Sequence, residues 1–210
     1  MGTAGTPNRG FEGAAGRAAG AVMARLNRDM ERAAIDVLGP DAAHTVLSIG
    51  FGPGVGLADL LDRLPDGRAA GIDPSPTMVA QARRRNRRHV ESGHLVVAQA
   101  AAESIPWPDR SFDGVLAVNS MQLWAPLPEG LREVARVLRP GGALVALTHV
   151  WAIEKTRPLA EWIEALTAQL EHTGMGPVST RTDRYRSGPG LLVRTELLHS
   201  CNRKAPKRPG

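Results

Sequence analysis

The stretch from Val46 to Leu57 reads Val-Leu-Ser-Ile-Gly-Phe-Gly-Pro-Gly-Val-Gly-Leu, a short apolar run followed by alternating glycines. Four glycines, at positions 50, 52, 54 and 56, fall within seven residues. Because glycine has no side chain, such a turn lets a ligand lie directly against the backbone. The spacing differs from the Gly-x-Gly-x-x-Gly of dinucleotide sites, and no Gly-Lys-Ser/Thr of a triphosphate loop is present, so both of those interpretations are weaker.

This stretch resembles the first motif of the class I S-adenosylmethionine-dependent methyltransferases, an acid-x-Gly-x-Gly-x-Gly turn between a strand and a helix. Gly50, Gly52 and Gly54 stand at its three glycine positions, with Phe51 between the first two. Ser48 stands where the family carries Asp or Glu. In the family this acid helps to organise the surroundings of the methionine amino group, and serine keeps a hydrogen bond there but not the charge.

A second segment extends the resemblance. The run Ala-Gly-Ile-Asp-Pro-Ser-Pro-Thr-Met at 70–78 reads as a strand that ends in an acid nineteen residues after Gly54, followed by a helix start. The family uses this acid to bind both ribose hydroxyls, and the resemblance assigns that role to Asp73. One ionised carboxylate has two acceptor oxygens for the two donors of a vicinal diol. Pro74 and Met78, which follow, are expected to border the cofactor.

A third segment continues the match. Residues 101–113 read Ala-Ala-Glu-Ser-Ile-Pro-Trp-Pro-Asp-Arg-Ser-Phe-Asp, which is similar to the family's Asp-Ala-Glu-x-Leu-Pro-Phe-x-x-x-Ser-Phe-Asp run past the adenine. Ala101 replaces the acid that reaches the adenine amino group in the family. Recognition of that edge then passes to Glu103 or to the backbone N–H of Ala102, or it weakens. The run at 131–145, with its Leu-Arg-Pro-Gly-Gly turn, resembles the family's next helix, turn and fifth strand.

The composition fits one enzyme-sized domain. The chain has 210 residues, 42% of them hydrophobic, which is enough for one core and leaves little room for a second domain. We expect a disordered tail at 1–12, a single methyltransferase domain at 13–200 and a basic disordered tail at 201–210.

Cysteine usage and the apolar runs indicate the compartment. Cys201 is the only cysteine, so no intramolecular disulfide can form and a reducing compartment is the default. The first ten residues lack the basic region and apolar core of a secretory signal, and no apolar run approaches the roughly 20 residues needed to cross a bilayer. We therefore expect a cytoplasmic protein without a membrane partner.

The net charge of +5 raises nucleic acid as a partner, but the charge distribution disfavours it. Four basic residues lie after position 200, which leaves 22 basic against 21 acidic residues before it. One arginine cluster remains on the helix after Asp73: Arg83, Arg84, Arg85, Arg87 and Arg88. A solvated helix face explains this cluster better than a nucleic-acid surface, which would add exposed aromatic side chains or a larger basic area.

The pattern of apolar runs and turn signals predicts an α/β fold. Helices are predicted at 13–38, 55–64, 75–88, 128–138 and 159–172, and strands at 45–49, 69–72, 94–98, 113–118, 143–150, 178–185 and 191–197. Alternating strands and helices imply a parallel sheet with helices on both faces. The resemblance implies a Rossmann-like methyltransferase fold with strand order 3-2-1-4-5-7-6, the last strand antiparallel, and an extra N-terminal helix.

In such sheets a ligand binds beyond the carboxyl ends of the strands where the strand order switches, here between the first and fourth strands. Asn119 directly follows the fourth strand. Enzymes that methylate base amino groups carry an acid or Asn followed by Pro-Pro-aromatic at this place, whereas this chain continues Ser-Met-Gln. Base amino-methylation is therefore disfavoured. Asn119 either contacts the methionine part of the cofactor or caps the strand end.

The acceptor site has fewer signals. Methyl transfer needs mainly in-line positioning, and a general base is needed only for acceptors that arrive protonated. His149, at the end of the fifth strand, is the candidate base, with a structural role as the alternative. Gln122, Trp124 and Trp151 follow the fourth and fifth strands and could line an acceptor pocket, although ordinary packing at the sheet edge explains both tryptophans almost as well.

The first predicted helix carries Met23, Asn27 and Met30 on one face. Because the chain has no room for a separate lid, this helix, 13–38, is a candidate cover for the crevice, with ordinary core packing as the alternative. The six histidines show no pairing with acids or cysteine at ligand spacing, so no metal site is expected.

The expected function is transfer of a methyl group from S-adenosylmethionine to a small or medium organic acceptor such as a secondary metabolite, as in the small-molecule, type 11-like branch of the family. The product would be S-adenosylhomocysteine. A binding protein or non-methylating enzyme with the same crevice stays open, because Ser48 and Ala101 replace acids. A nucleic-acid methyltransferase is a lower alternative.

Overall fold

The computed structural model of the chain describes residues 27–198. Helices and strands alternate along this part, as the sequence predicts. We number the elements α1 (Arg28–Leu38), β1 (Thr45–Ile49), α2 (Val55–Leu61), β2 (Arg68–Asp73), α3 (Pro76–Arg85), α4 (Arg87–Glu91), β3 (Leu95–Gln99), β4 (Phe112–Val118), a 3₁₀ turn (Met121–Leu123), α5 (Leu127–Val137), β5 (Leu138–His149), α6 (Val150–Glu154), α7 (Leu159–His172), β6 (Ser179–Tyr185) and β7 (Gly188–Glu196).

The seven strands form one sheet in the order β3-β2-β1-β4-β5-β7-β6. Parallel pairing joins β3, β2, β1, β4 and β5, and β7 runs antiparallel to both β5 and β6. The predicted strand order and the antiparallel last strand are confirmed. Within residues 27–198, none of the helices has the length and apolarity needed to cross a membrane.

Helices cover both faces of the sheet, and the side chains of β1 alternate between them. Val46 packs with α1 and α2, whereas Leu47 and Ile49 pack on the opposite side with α5 and α7. Strands buried on both faces are typical of parallel sheets. Two apolar layers therefore hold the middle of the central strands, and polar groups lie at the strand ends.

Helix α1 ends as predicted at Leu38, where Gly39 adopts a left-handed conformation with φ +57° and donates its N–H to Ile35 O. The predicted helix began at 13, and its residues before position 27 lie outside the described residues. The same is true of Met23 and of the tails predicted at 1–12 and 201–210.

The prediction of one helix at 75–88 is wrong, because the chain forms two helices there that are separated at Asn86. The Asn86 side chain is buried, and its Nδ2 donates to Gly54 O and to Ala82 O. Arginines favour a continuous helix, but this contact with the loop after β1 ends α3 instead. The arginine cluster is accordingly split between α3 and α4.

Strand β5 begins earlier than predicted. Leu138 already pairs with Phe112, and the register then shifts so that Gly114 pairs with Ala143. The Leu-Arg-Pro-Gly-Gly segment is therefore an irregular strand start rather than a turn between a helix and a strand. At the other end, β5 stops at His149, and the short helix α6, which the sequence analysis did not predict, begins at the next residue.

Candidate functional site

The carboxyl ends of β1, β2 and β4 meet where the strand order switches direction, with β1 lying between β2 and β4. The loop after β1 contains the alternating glycines. Gly50 has φ +73° and donates its N–H to Ile72 O at 2.8 Å, and a Cβ on Gly50 would collide with the side chain of Ser120. A side chain at position 50 would thus push the loop away from the end of β4.

Gly54, with φ +75°, begins α2, and a Cβ there would stand 2.7 Å from the Cβ of Ala82 in α3. Gly52 differs from both. Its φ is +55°, but a Cβ on Gly52 would meet no atom within 4 Å. Gly50 and Gly54 therefore let the loop pack on its neighbours, whereas Gly52 presents bare backbone to open space.

Asp73 lies beside this bare backbone at the end of β2 and is only 7% exposed. Its Oδ2 accepts the Gly52 N–H at 2.9 Å, and its Oδ1 accepts the Ser75 N–H at 2.9 Å. Burial raises the pKa of Asp73, and the two backbone hydrogen bonds oppose that rise. Each oxygen keeps a lone pair, so the oriented carboxylate can accept two further hydrogen bonds, as a vicinal diol would require.

The other residues predicted on this side occupy different places. The Phe51 ring is buried and fills the space above Gly71, where a Cβ would stand 2.6 Å from its Cδ1. Only the Phe51 backbone can border the crevice. Met78 is buried in the first turn of α3, and its N–H is capped by the Ser75 hydroxyl. Pro74 is exposed, and its carbonyl accepts the side-chain N–H of Gln99 at 3.2 Å.

The segment after β3 places Ala101 at the surface and Ala102 in the core, where its methyl group lies close to Gly130. Glu103 is half-buried, and its Oε1 accepts the Ala125 N–H at 2.8 Å. The Glu103 carboxylate therefore ties this segment to the loop after β4, and one of its two oxygens is already engaged.

Asn119 adopts a left-handed conformation with φ +52° directly after β4. Its Oδ1 accepts the backbone N–H of His149 at 3.1 Å, and its Nδ2 lies 3.6 Å from the Met30 sulfur. The Asn119 side chain thus joins β4, β5 and α1, which is the strand-capping alternative. A contact between Asn119 and a cofactor stays a prediction.

His149 is 3% exposed at the end of β5. Its Nε2 hydrogen-bonds to Asn27 Oδ1 at 3.1 Å, and its ring stacks on Trp151 with centroids 5.6 Å apart. Burial lowers the pKa of His149, so the ring is neutral at pH 7. With the proton on Nε2, Nδ1 keeps a lone pair; within the described residues this buried nitrogen makes no hydrogen bond of normal geometry, and the Pro189 backbone nearby partly offsets the lowering of the His149 pKa by burial.

The remaining acceptor-side residues divide between core and rim. Trp124 is 9% exposed and packs against Gly130, so its role is the packing that the sequence left as the alternative. Trp151 is 45% exposed, and the Lys155 ammonium lies 4.4 Å from its ring centre. Gln122 donates to Asn119 O and accepts from Thr148 Oγ1, so it stiffens the segment between β4 and β5.

The start of α1 lies over the ends of the acceptor-side strands. In addition to the contacts of Asn27 and Met30, Asp29 Oδ2 accepts the Arg186 N–H at 2.8 Å in the turn between β6 and β7. Ser187 Oγ lies 3.6 Å from the Met30 sulfur. The helix is attached to three strand ends, and its role as a cover stays a prediction.

Sequence reasoning missed Glu31. This residue follows Met30 on α1, and its carboxyl group lies against Gly56, where a Cβ would stand 2.6 Å from Glu31 Cδ. Glu31 is half-buried, and desolvation of its carboxyl group raises the pKa of Glu31 to about 8, with a further contribution from the nearby charge of Asp59. The available signal was Gly56 itself, a fourth glycine that the three-glycine motif does not require.

The arginine cluster is partly engaged. Arg83 donates to Val97 O, Arg85 donates to Pro53 O, and Arg87 pairs with Glu91 across one helical turn. These contacts fit a solvated helix face. Among residues 27–198, no group of three or more His, Cys, Asp or Glu side chains lies close enough together to hold a metal ion.

The chain is similar to known proteins over this same region. Residues 47–146 match the family described as "Methyltransferase domain". A demethylmenaquinone methyltransferase from Beutenbergia cavernae is 35% identical over 187 residues, which are 84% of this chain and 72% of that protein.

The chain belongs to the S-adenosylmethionine-dependent methyltransferase family.

Other members share shorter stretches with it. The uncharacterized methyltransferase YdaC of Bacillus subtilis is 33% identical over 59% of this chain, and the match spans 66% of its length. A demethylmenaquinone methyltransferase from Symbiobacterium thermophilum is 32% identical over 56% of this chain, and the match spans 45% of its length. The structure of a SAM dependent methyltransferase from Aquifex aeolicus superposes with a TM-score of 0.67 at 22% identity, covering 83% of this chain and 93% of that one.

Proposed function

We propose that this chain transfers the methyl group of S-adenosylmethionine to an aromatic acceptor derived from a quinone. The observation that carries the cofactor half of the proposal is the bare Gly52 backbone held beside the oriented Asp73 carboxylate. The acceptor half is supported by the similarity to two demethylmenaquinone methyltransferases, one of them aligned over 84% of this chain.

The residues present fit the cofactor. The backbone from Gly50 to Gly54 would lie along it, Asp73 would accept both ribose hydroxyls, and the segment from Ala102 to Glu103 would border the adenine. S-Adenosylmethionine supplies a methyl group already activated on a sulfonium, so the protein must chiefly hold the acceptor in line with that group and exclude water.

The acceptor side offers an aromatic surface and a neutral base. Trp151 and Leu123 are large apolar side chains exposed at the ends of β4 and β5. In this proposal His149 Nδ1 accepts the proton of an acceptor hydroxyl, because loss of that proton raises the electron density on the neighbouring ring carbon. The ring carbon would then take the methyl group, with the C–S bonding electrons staying on sulfur, and would release its own proton to water while His149 returns the first proton to the hydroxyl oxygen.

The test is a mass-spectrometric assay of the purified chain with S-adenosylmethionine. The acceptors are a demethylated naphthoquinol with a short isoprenoid tail and, for comparison, a catechol, an aliphatic amine and a thiol. The expected result is a gain of one methylene mass on the quinol ring, with S-adenosylhomocysteine formed in equal amount. Methylation of one of the other acceptors in preference to the quinol would contradict the proposed acceptor class.

A second candidate is a protein that binds S-adenosylmethionine without transferring its methyl group. It is favoured by Ser48 and Ala101, two positions where the family carries acids. Tight binding of S-adenosylmethionine, together with no methylated product over the acceptor panel, would favour this candidate. The contacts of Arg83 and Arg85 with the protein's own backbone give a nucleic-acid acceptor no comparable support.

A further inference from the structure

The carboxyl group of Glu31 contacts the first turn of α2 at Gly56. Only a glycine at position 56 allows this approach, because a Cβ there would lie 2.6 Å from Glu31 Cδ. The residue before it, Met30, lies beside Asn119 at the end of β4. This part of α1 therefore spans the distance between the end of β4 and the glycine loop after β1, along one edge of the crevice.

Within residues 27–198, no cation pairs with Glu31, although two arginines flank it on α1. Both Arg28 and Arg32 turn to Asp59 of α2, at 2.9 and 3.2 Å. No hydrogen bond or ion pair joins the Glu31 carboxyl group to any other residue of the described part of the chain. Burial and the Asp59 charge raise the pKa of Glu31 to about 8, which reflects the cost of keeping this group ionised without a partner.

The position where the first motif lacks its acid is on the face of the sheet that carries α1 and α2. Side chains alternate along a strand, so Ser48 lies on the same face of β1 as Val46, the face that α1 and α2 cover. Ser48 is half-buried although β1 is a central strand. A short side chain at position 48 and no side chain at position 56 leave room for a carboxylate that arrives from α1.

We propose that Glu31 receives the ammonium group of the methionine part of S-adenosylmethionine, and so supplies from α1 the carboxylate that β1 lacks at position 48. This inference rests on the proposed function. An ammonium group offers three donors to a carboxylate, and the resulting hydrogen bonds are charge-assisted. Glu31 acts here as a cofactor-binding and specificity-determining residue, with no part in the bond-making step.

Titration calorimetry with three probes tests the assignment. S-Adenosylhomocysteine carries the whole amino-acid part, its decarboxylated analogue keeps the amine alone, and 5′-methylthioadenosine carries neither. For Glu31→Gln we expect an affinity for the first two probes that is about 10- to 100-fold lower, as for loss of one charge-assisted hydrogen bond, and unchanged affinity for methylthioadenosine. Gln matches the size of the neutral carboxyl group, so the fold should be retained.

The matched control is Asp36→Asn, which removes an exposed carboxylate from the same helix where it pairs with Arg63. We expect this variant to bind all three probes as the unchanged chain does. Gly56→Ala should reproduce the loss seen for Glu31→Gln, because the added methyl group displaces the carboxylate.

Proton release gives an independent measurement. A carboxyl group with a pKa of about 8 is mostly protonated at pH 7, and an ammonium partner lowers that pKa, so binding releases a proton. Calorimetry of S-adenosylhomocysteine binding in buffers of different ionisation enthalpy should show this release for the unchanged chain and its loss in Glu31→Gln.

Two failures are distinguishable. If the unchanged chain binds none of the three probes, the proposed function falls and this inference falls with it. If it binds S-adenosylhomocysteine and Glu31→Gln binds it within twofold, only the assignment of Glu31 is overturned. Equal weakening for all three probes would likewise overturn it, because the effect would then lie in the fold and not at the ammonium group.

Discussion

On the β1 and β2 side of the crevice backbone N–H groups converge on one carboxylate, whereas on the β4 and β5 side several separate polar side chains make the contacts, with the backbone and with one another. Gly52 and Ser75 both donate to Asp73. Across the crevice, His149 bonds to Asn27 through its ring. The comparison teaches that the β1 and β2 side depends on backbone shape, whereas the β4 and β5 side depends on individual side chains that single substitutions can change.

Under the proposed function, the β1 and β2 side is the cofactor half of the crevice and the β4 and β5 side is the acceptor half. Backbone N–H groups are present whatever the side chains are, so the loop needs only glycines where a Cβ would collide. The acceptor half depends on individual side chains, and similarity of fold does not determine which side chains these are. Four predictions test whether the two halves are independent.

The largest effect should follow removal of the central carboxylate of the cofactor half. Asp73→Ala should weaken S-adenosylhomocysteine binding about 1,000-fold, because two charge-assisted hydrogen bonds to the ribose are lost. Titration calorimetry measures this, with Asp66→Asn, an exposed acid in the turn before β2, as the control. Binding retained by Asp73→Ala would remove the basis of the comparison.

The next effect should be confined to the acceptor half. His149→Ala should lower kcat about 100-fold, the lower range for loss of a general base, and leave S-adenosylhomocysteine affinity within threefold. In the unchanged chain burial lowers the His149 pKa from 6.5, and the ring must be neutral to act as a base. The value of kcat should therefore be level around pH 7 and fall only when the pH drops below the lowered pKa of His149. A parallel loss of cofactor affinity would show that the halves are coupled.

A smaller contrast separates two glycines of one loop. Gly52→Ala should lower S-adenosylhomocysteine affinity about tenfold, because its methyl group enters the open side, while the left-handed φ costs about 1 kcal/mol of stability. Gly54→Ala should chiefly destabilise the fold, because its methyl group meets Ala82. Calorimetry measures the affinity and thermal unfolding measures the stability of both variants. A larger loss of affinity in Gly54→Ala than in Gly52→Ala would contradict the inference that Gly52 faces the ligand.

The smallest effect concerns Glu31 in the absence of ligand. Its pKa is raised from 4.5 to about 8 in the folded chain, so the folded state holds a proton that the unfolded state has lost between these values. Stability should therefore fall as pH rises from 4.5 to 8 and level off above, and Glu31→Gln should remove this part of the fall. At pH 8.5 the variant should melt a few degrees higher, since 1 kcal/mol corresponds to roughly 2–4 °C in a domain of this size.

Several features follow from local sequence. The strand at 45–49 and the helix at 159–172 have the bounds that apolar spacing and turn residues predict, because both patterns depend on near neighbours. The proximity of the glycine loop to Asp73 also follows, since the carboxyl ends of adjacent parallel strands lie at one edge of a sheet. The strand order came from the resemblance to the family.

Tertiary contacts decided the rest. The helix break at Asn86 depends on a side chain that reaches Gly54, more than thirty residues away along the chain. Likewise, Glu31 meets Gly56 only because α1 packs on α2. The sequence by itself determined the strand, the glycine turn and the acid that follows the second strand, because those are short-range patterns; only the tertiary structure decided which side chain from another element fills the space beside them.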